Sequence, residues 1–232
     1  MPPSKWSAIN GASLPEEDPT TDSFTITAPP KTDIWRRSPT DDIFNAPTLY
    51  QTLPASRFKS ITVTVYAPWH TQYDQGGLIL AFPSSNTPHP STSSEKEVKK
   101  AEEETPGNPV RPSKWVKAGI EFFELSCVLG IVGTDRFSDW SLAPMSQEFH
   151  QKARFRIEKR ETTLWVYARQ EGEERMKPMR EIKWAFMEGR DEEDIWVGVY
   201  AAKPTPEEGE DDEKGIEVSF SDLELELEEE ES

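Results

Sequence analysis

The stretch "HTQYDQGGLIL", residues 70–80, sets Tyr73, Asp74 and Gln75 directly before two glycines and the apolar run Leu78, Ile79 and Leu80. A surface loop has no need of that run, and a core strand has no need of a carboxylate. A polar group held at a groove rim by the strand behind it accounts for both; a plain strand entrance is the alternative. A second stretch, "KWVKAGIEFF" at 114–123, carries Lys117 and Glu121 four residues apart. In a strand that spacing aims both into one groove, with Gly119 between them. Acid, amide and amine together would exchange hydrogen bonds with hydroxyls and meet an anion. Gly76 and Gly77 would let a neighbouring backbone or a ligand approach closely.

Harder chemistry finds less support. Glycoside hydrolysis needs two carboxyls about 5–5.5 Å or 6.5–9.5 Å apart, and Asp74 with Glu121 is the pair on offer. The three histidines, His70, His89 and His150, make a poor basis for a nucleophilic triad. No Cys/His zinc spacing is present. The acidic runs "DEED" (191–194) and "EGEDDE" (208–213) lack the EF-hand pattern, and no glycine-rich phosphate loop opens a helix. The expectation is no metal and no cofactor, with Asp74, Glu121 and Lys117 as the catalytic candidates if a reaction occurs.

Strands must position these groups. Nine segments alternate or run apolar and β-branched: 24–27, 60–67, 76–82, 114–123, 125–132, 153–160, 163–169, 195–202 and 216–227. Short gaps at Glu124 and Glu161 predict hairpins. Outside the insertions no amphipathic helix stands out, so the chain reads as an all-β sandwich or barrel. Three strands show an aliphatic face opposed by aromatics mixed with charge or glycine: Trp115, Lys117, Gly119 and Glu121; Trp165 and Tyr167; Trp196, Gly198 and Tyr200. Such a face suits a wet concave sheet that holds a ligand. The alternative is that these rings cover an outer sheet beneath loops.

The charge is uneven. The net charge is −17, and residues 204–232 hold 14 acids and one base, so the body is nearly neutral. With no basic stripe, nucleic acid is excluded as a partner. The acidic tail would steer a basic partner or simply aid solubility. The single Cys127, within "ELSCVLGIV", reads as a small buried hydrophobe. No apolar run approaches the ~18 residues of a membrane span, and the first residues have no apolar signal core. A soluble protein of the cytosol or nucleus is expected, with no membrane partner.

Residues 83–113, rich in Pro, Ser and charge, and 203–215, rich in Pro and charge, read as flexible insertions, the first with a short helix over 95–104. Residues 1–227 then form one domain, and 228–232 an acidic tail.

The blocks "QYDQGGLIL", "KWVKAGIEFF", "DRFSDWSL" and "VGVYAA", in this order, resemble the regulation-of-enolase family; "TDIWRR" at 32–37 resembles its Trp-containing N-terminal segment. The resemblance spans residues 20–227 less the two insertions. The 83–113 insertion and the acidic tail depart from the shorter bacterial pattern. The resemblance implies a concanavalin A-like jelly-roll sandwich of two antiparallel sheets, a domain of unknown function, and in one fungal member a link by name to control of enolase. It implies a ligand site of Trp35, Tyr73, Asp74, Gln75, Lys117, Glu121, Asp139 and Trp140, in which Asp74 and Gln75 meet hydroxyls, Lys117 meets an anion and the two Trp stack on a sugar or other ring. The Glu-x-Asp-x-x-Glu motif of laminarinase-like enzymes of this fold is absent, since "EFFELS" lacks the middle Asp. Structural roles stand beside these: Asp139 as a turn residue with Trp140 in the core, and Lys117 with Asp74 as an ion pair.

Three functions follow as expectations. One is a binding or regulatory module for a carbohydrate-like or small polar metabolite. Another is an enzyme acting on such a molecule. The third is a protein–protein regulator of a glycolytic enzyme.

Overall fold

The computed structural model describes residues 6–83, 112–146, 151–187, 193–207, 209 and 213–229. Among them every regular element is a strand. Two antiparallel sheets form the expected jelly-roll sandwich. The seven-stranded sheet has the order β1 (Ser7–Ile9), β5 (Thr48–Pro54), β14 (Asp194–Ala202), β7 (Gln75–Phe82), β8 (Lys114–Phe123), β9 (Ser126–Thr134) and β10 (Ser138–Pro144). The six-stranded sheet runs β13 (Lys177–Ile182), β12 (Thr163–Gln170), β11 (Lys152–Arg160), β6 (Phe58–Tyr66), β15 (Ile216–Leu227) and β2 (Phe24–Ala28). A separate hairpin joins β3 (Ile34–Ser38) to β4 (Asp41–Phe44).

Periodicity explains the layers. Every other residue of β8, namely Val116, Ala118 and Ile120, enters the core between the sheets with Leu78, Leu80, Val197 and Val199. Ile61, Val63, Phe155, Ile157, Val166, Val218 and Phe220 meet them from the six-stranded sheet. That sheet keeps a solvated outer face, so β11 alternates between buried and accessible positions. By contrast β7 is buried along its whole length, because its outer face is covered as well. Cys127 is buried with the core.

All nine expected strands are present. The two tight turns are hairpin turns with left-handed backbone at Glu124, Leu125 and Glu161. Six strands were not foreseen: β1, β3, β4, β5, β10 and β13. They are short, polar or bounded by proline; β10 and β13 are edge strands, and Pro144 and Pro178 suit an edge. The 95–104 helix expectation lies outside the described residues. Lys203, which opens the second segment read as an insertion, is fully buried.

One expectation is corrected by the sheet assignment. Trp115 and Trp196 share a sheet, but Trp165 and Tyr167 belong to β12 in the other one. They stack on each other on its outer face, with ring centroids 6.2 Å apart. Alternation identified their face correctly and could not say which sheet bore it.

Candidate functional site

Three rows of residues cross the outer face of the seven-stranded sheet. In the first, Gln75 stands opposite Glu121. In the second, Gly77 faces Gly119, and Gly119 faces Gly130. In the third, Ile79, Lys117, Val132 and Trp140 follow one another across four strands. The glycines are needed for close backbone approach. A β-carbon on Gly77 would lie 2.1 Å from the Ala118 carbonyl oxygen, and one on Gly119 would lie 2.0 Å from that of Gly76. With no side chains on the middle row, long polar side chains can lie across it.

Two of them do. Lys117 reaches across the row, and its Nζ donates to Gln75 Oε1 at 2.7 Å. The Glu121 carboxylate leans over Gly130, where a β-carbon would come within 2.9 Å of Oε2. Gln75 is fully engaged: Oε1 also accepts from the Tyr200 hydroxyl at 3.3 Å, and Nε2 donates to the Tyr73 carbonyl at 3.2 Å and to Asp33 Oδ1 at 3.5 Å. Burial first, then the charges of Glu121 and Asp33, raise the Tyr200 pKa well above the ordinary phenol value, which keeps it a donor. Lys117 makes a second contact, to Asp33 at 3.4 Å. One of its three N–H groups is left over among the described residues.

Trp140 Nε1 donates to Glu121 Oε2 at 3.1 Å. Burial pushes the Glu121 carboxyl up to about 7; Lys117 and the Trp140 hydrogen bond oppose the rise, and Asp33 adds to it. At neutral pH this group can therefore either accept or donate, and its Oε1 has no partner among the described residues.

The β3–β4 hairpin roofs the rest of this face. Ile34 and Phe44 form a second core with Tyr50, Ile79, Trp115, Trp196 and Tyr200. Arg36 pins the hairpin down. Its guanidinium lies 4.3 Å from the centre of the Trp115 ring and donates to the Ser113 and Pro112 carbonyls at 2.8 and 3.0 Å. The Arg36 backbone N–H donates to Ser138 Oγ at 2.8 Å, which ties the hairpin to β10. Asp33, Trp35 and Arg37, two apart along the chain, overhang a cavity of about 250 Å³ that Tyr73, Gln75, Lys117, Glu121, Val132 and Trp140 complete. Trp35 and Trp140 meet edge-on, 6.4 Å apart at 84°. Tyr73 has φ 69°, uncommon without glycine; its N–H donates to the Phe122 carbonyl at 2.7 Å and its ring lies 6.5 Å from Trp140.

Of the eight residues singled out by resemblance, Trp35, Tyr73, Gln75, Lys117, Glu121 and Trp140 line this cavity. Two stand elsewhere. Asp74 is out of phase with Gln75 and points to the intersheet side, where its Oδ1 lies 3.2 Å from Lys203 Nζ and its Oδ2 accepts from the Thr71 N–H at 2.9 Å. The Lys117–Asp74 ion pair is thus replaced by Lys117–Asp33 and Lys203–Asp74, and Asp74 with Glu121 makes no pair across a bond. Asp139 lies within β10 rather than in a turn and faces Arg180 of β13, because Trp140 takes the cavity side. Trp140 itself is a wall of the cavity.

Asp33 and Arg37 were missed. The signal was present in "TDIWRR", since alternation puts both on the face of Trp35. Lys203 was missed because it lies in a segment read as an insertion. His89 and His150 lie outside the described residues, and His70 hydrogen-bonds Glu207 Oε1 at 2.8 Å, away from the cavity. Among the described residues no group of three His, Cys, Asp or Glu side chains is placed to hold a metal, and no helix is long and apolar enough to cross a membrane.

Similar proteins agree with this architecture. An uncharacterised protein of Emericella nidulans is 34% identical over 214 residues, covering 92% of this chain and 91% of that protein. The crystal structure of a functionally unknown Saccharomyces cerevisiae protein superposes with a TM-score of 0.66 at 19% identity, covering 97% of both chains. A xylan β-1,4-xylosidase of Bacillus halodurans matches with a TM-score of 0.57 at 14% identity over 95% of this chain but only 34% of its own length. At these identities the two structures show the fold alone. Residues 13–228 match the family model described as "Protein of unknown function (DUF1349)", and the chain belongs to that family.

Proposed function

We propose that this chain is a binding module whose cavity takes a small, polar, carbohydrate-like ligand. One observation carries the reading: buried Lys117 and Glu121 present unspent hydrogen-bonding capacity to a cavity that Trp35 and Trp140 also line. Sugars ask for such a site, with charged or amide groups for hydroxyls and aromatic faces for C–H surfaces. The sandwich is shared with part of a xylosidase, which supports the choice of sugars for a first panel. A regulatory role in sugar metabolism, through contact with a glycolytic enzyme, is the further proposal that the family resemblance adds.

A thermal-shift panel of sugars, sugar phosphates and glycolytic intermediates tests the reading, with Lys117→Ala alongside. A ligand at ~100 times its Kd adds about 2.7 kcal/mol, a shift of several degrees at this chain length. A shift in the parent that vanishes in the variant is expected. A flat panel with both proteins folded would overturn the cavity as a ligand site.

The raised pKa of Glu121 favours a second reading, an enzyme. A carboxyl near 7 beside Asp33 and Lys117 is suited to general acid–base work. Asp74 has no place in it, because it faces the other side of the sheet. Turnover of the ligand found in the panel separates the two readings.

A further inference from the structure

Building on that reading, we infer that the cavity is blind and takes one uncharged sugar ring at the end of a chain or free, not the interior of a polysaccharide. The β3–β4 hairpin is the reason. A glycan lying across the outer face of the sheet would have to pass over Trp115, Trp196 and Tyr200, and Ile34 and Phe44 already occupy that surface. Phe44 packs against Trp115 with ring centroids 5.7 Å apart, and Ile34 has no exposed surface. Arg36 seals the same end through Ser113, Pro112 and Ser138.

The other side is bounded too. Trp140 contacts Trp35 on one flank and the Tyr73 and Phe123 rings on the other, with centroids 6.4, 6.5 and 5.1 Å away. What remains is about 250 Å³, below the ~300–1,000 Å³ of pockets for drug-sized ligands. That space suits one ring better than two.

Charge selects within this class. Each cation at the cavity already has an acid beside it, Asp33 at 3.4 Å from Lys117 and Asp41 at 3.5 Å from Arg37, and Glu121 adds no positive charge in either protonation state. A balanced site offers no excess positive charge for a phosphate or carboxylate. The spare Lys117 N–H and the unpartnered Glu121 Oε1 are a donor and an acceptor for neighbouring hydroxyls on one ring. Lys117 is held in place by Gln75 and Asp33, so little ordering is needed on binding.

Calorimetric titration of the full chain tests this. The probes are D-glucose, D-xylose and D-galactose, their available phosphates, and gluco- and xylo-oligosaccharides of one to six units. At least one free sugar is expected to bind, with affinity changing less than threefold from one unit to six and with its phosphate at least tenfold weaker. A rise of tenfold or more with length would overturn the blind cavity while leaving sugar binding intact. It would mean that the hairpin lifts from Tyr50, Trp115 and Trp196, whose buried polar atoms have no partner beneath it. Tighter binding of a phosphate would overturn the neutral-ligand assignment. Silence from every probe would overturn this inference together with the reading beneath it.

Discussion

Asp74 and Gln75 are neighbours in the chain, and each is held by a different buried lysine on an opposite face of the seven-stranded sheet. The Asp74 carboxylate sits 3.2 Å from Lys203 Nζ on the intersheet side, and the Gln75 amide oxygen accepts from Lys117 at 2.7 Å on the cavity side. Strand alternation separates them. Lys203 also donates to Thr71 Oγ1 at 2.9 Å and lies 3.4 Å from Glu207 Oε1. The Lys203–Asp74 ion pair therefore lies between the sheets, and the Lys117–Gln75 hydrogen bond shapes the site.

Breaking the first pair should cost stability and spare the cavity. Both side chains are fully buried, so Lys203→Met strands a carboxylate in the interior, which typically costs about 3–5 kcal/mol. Urea unfolding should show that loss. Under 1 kcal/mol would mean that water already reaches Asp74.

Glu121 makes stability depend on pH. Burial raises its carboxyl from the ordinary 4.5 to about 7 in the folded protein. The native state thus keeps a proton that the unfolded chain releases above 4.5. Its contribution is complete below that value and is lost as pH rises through about 7. Glu121→Gln removes the cost of ionisation and should stabilise the protein at pH 8 by on the order of 2 kcal/mol, with little effect at pH 5. Equal effects at both pH values would place the carboxyl in water.

Trp140→Phe keeps an aromatic wall and deletes the indole N–H that supports the ionised form of Glu121. The Glu121 midpoint should move further up, by about half a unit to one unit, as read by carbon NMR of the side-chain carboxyl. A downward shift would show that the ring acts mainly by excluding water.

Gly119→Ala tests the glycine row. The added β-carbon would meet the Gly76 carbonyl at 2.0 Å, and backbone cannot swing aside as a side chain does. Destabilisation at or above the usual ~1–3 kcal/mol of overpacking is expected in thermal melts. Gly11→Ala is the control for removing a glycine, since no atom lies within 4 Å of its added carbon, although its φ of +82° carries a cost of its own. Equal losses in the two variants would remove the packing argument.

The chain by itself determined what depends on near neighbours. Alternation in 114–123 and 195–202 assigned each residue to a face, and turn residues marked the hairpins at Glu124 and Glu161. Those signals are local, because a strand repeats every two residues whatever it pairs with. Tertiary structure decided which faces met. It put Trp165 on the far sheet, turned Asp139 to Arg180, and brought Lys203 to Asp74 across 129 residues. It also laid the β3–β4 hairpin over Trp115 and Trp196, so that a face which reads as an open aromatic groove is mostly core. Long-range pairing and coverage follow from how apolar faces from distant segments bury one another, and only the assembled sandwich specifies that arrangement.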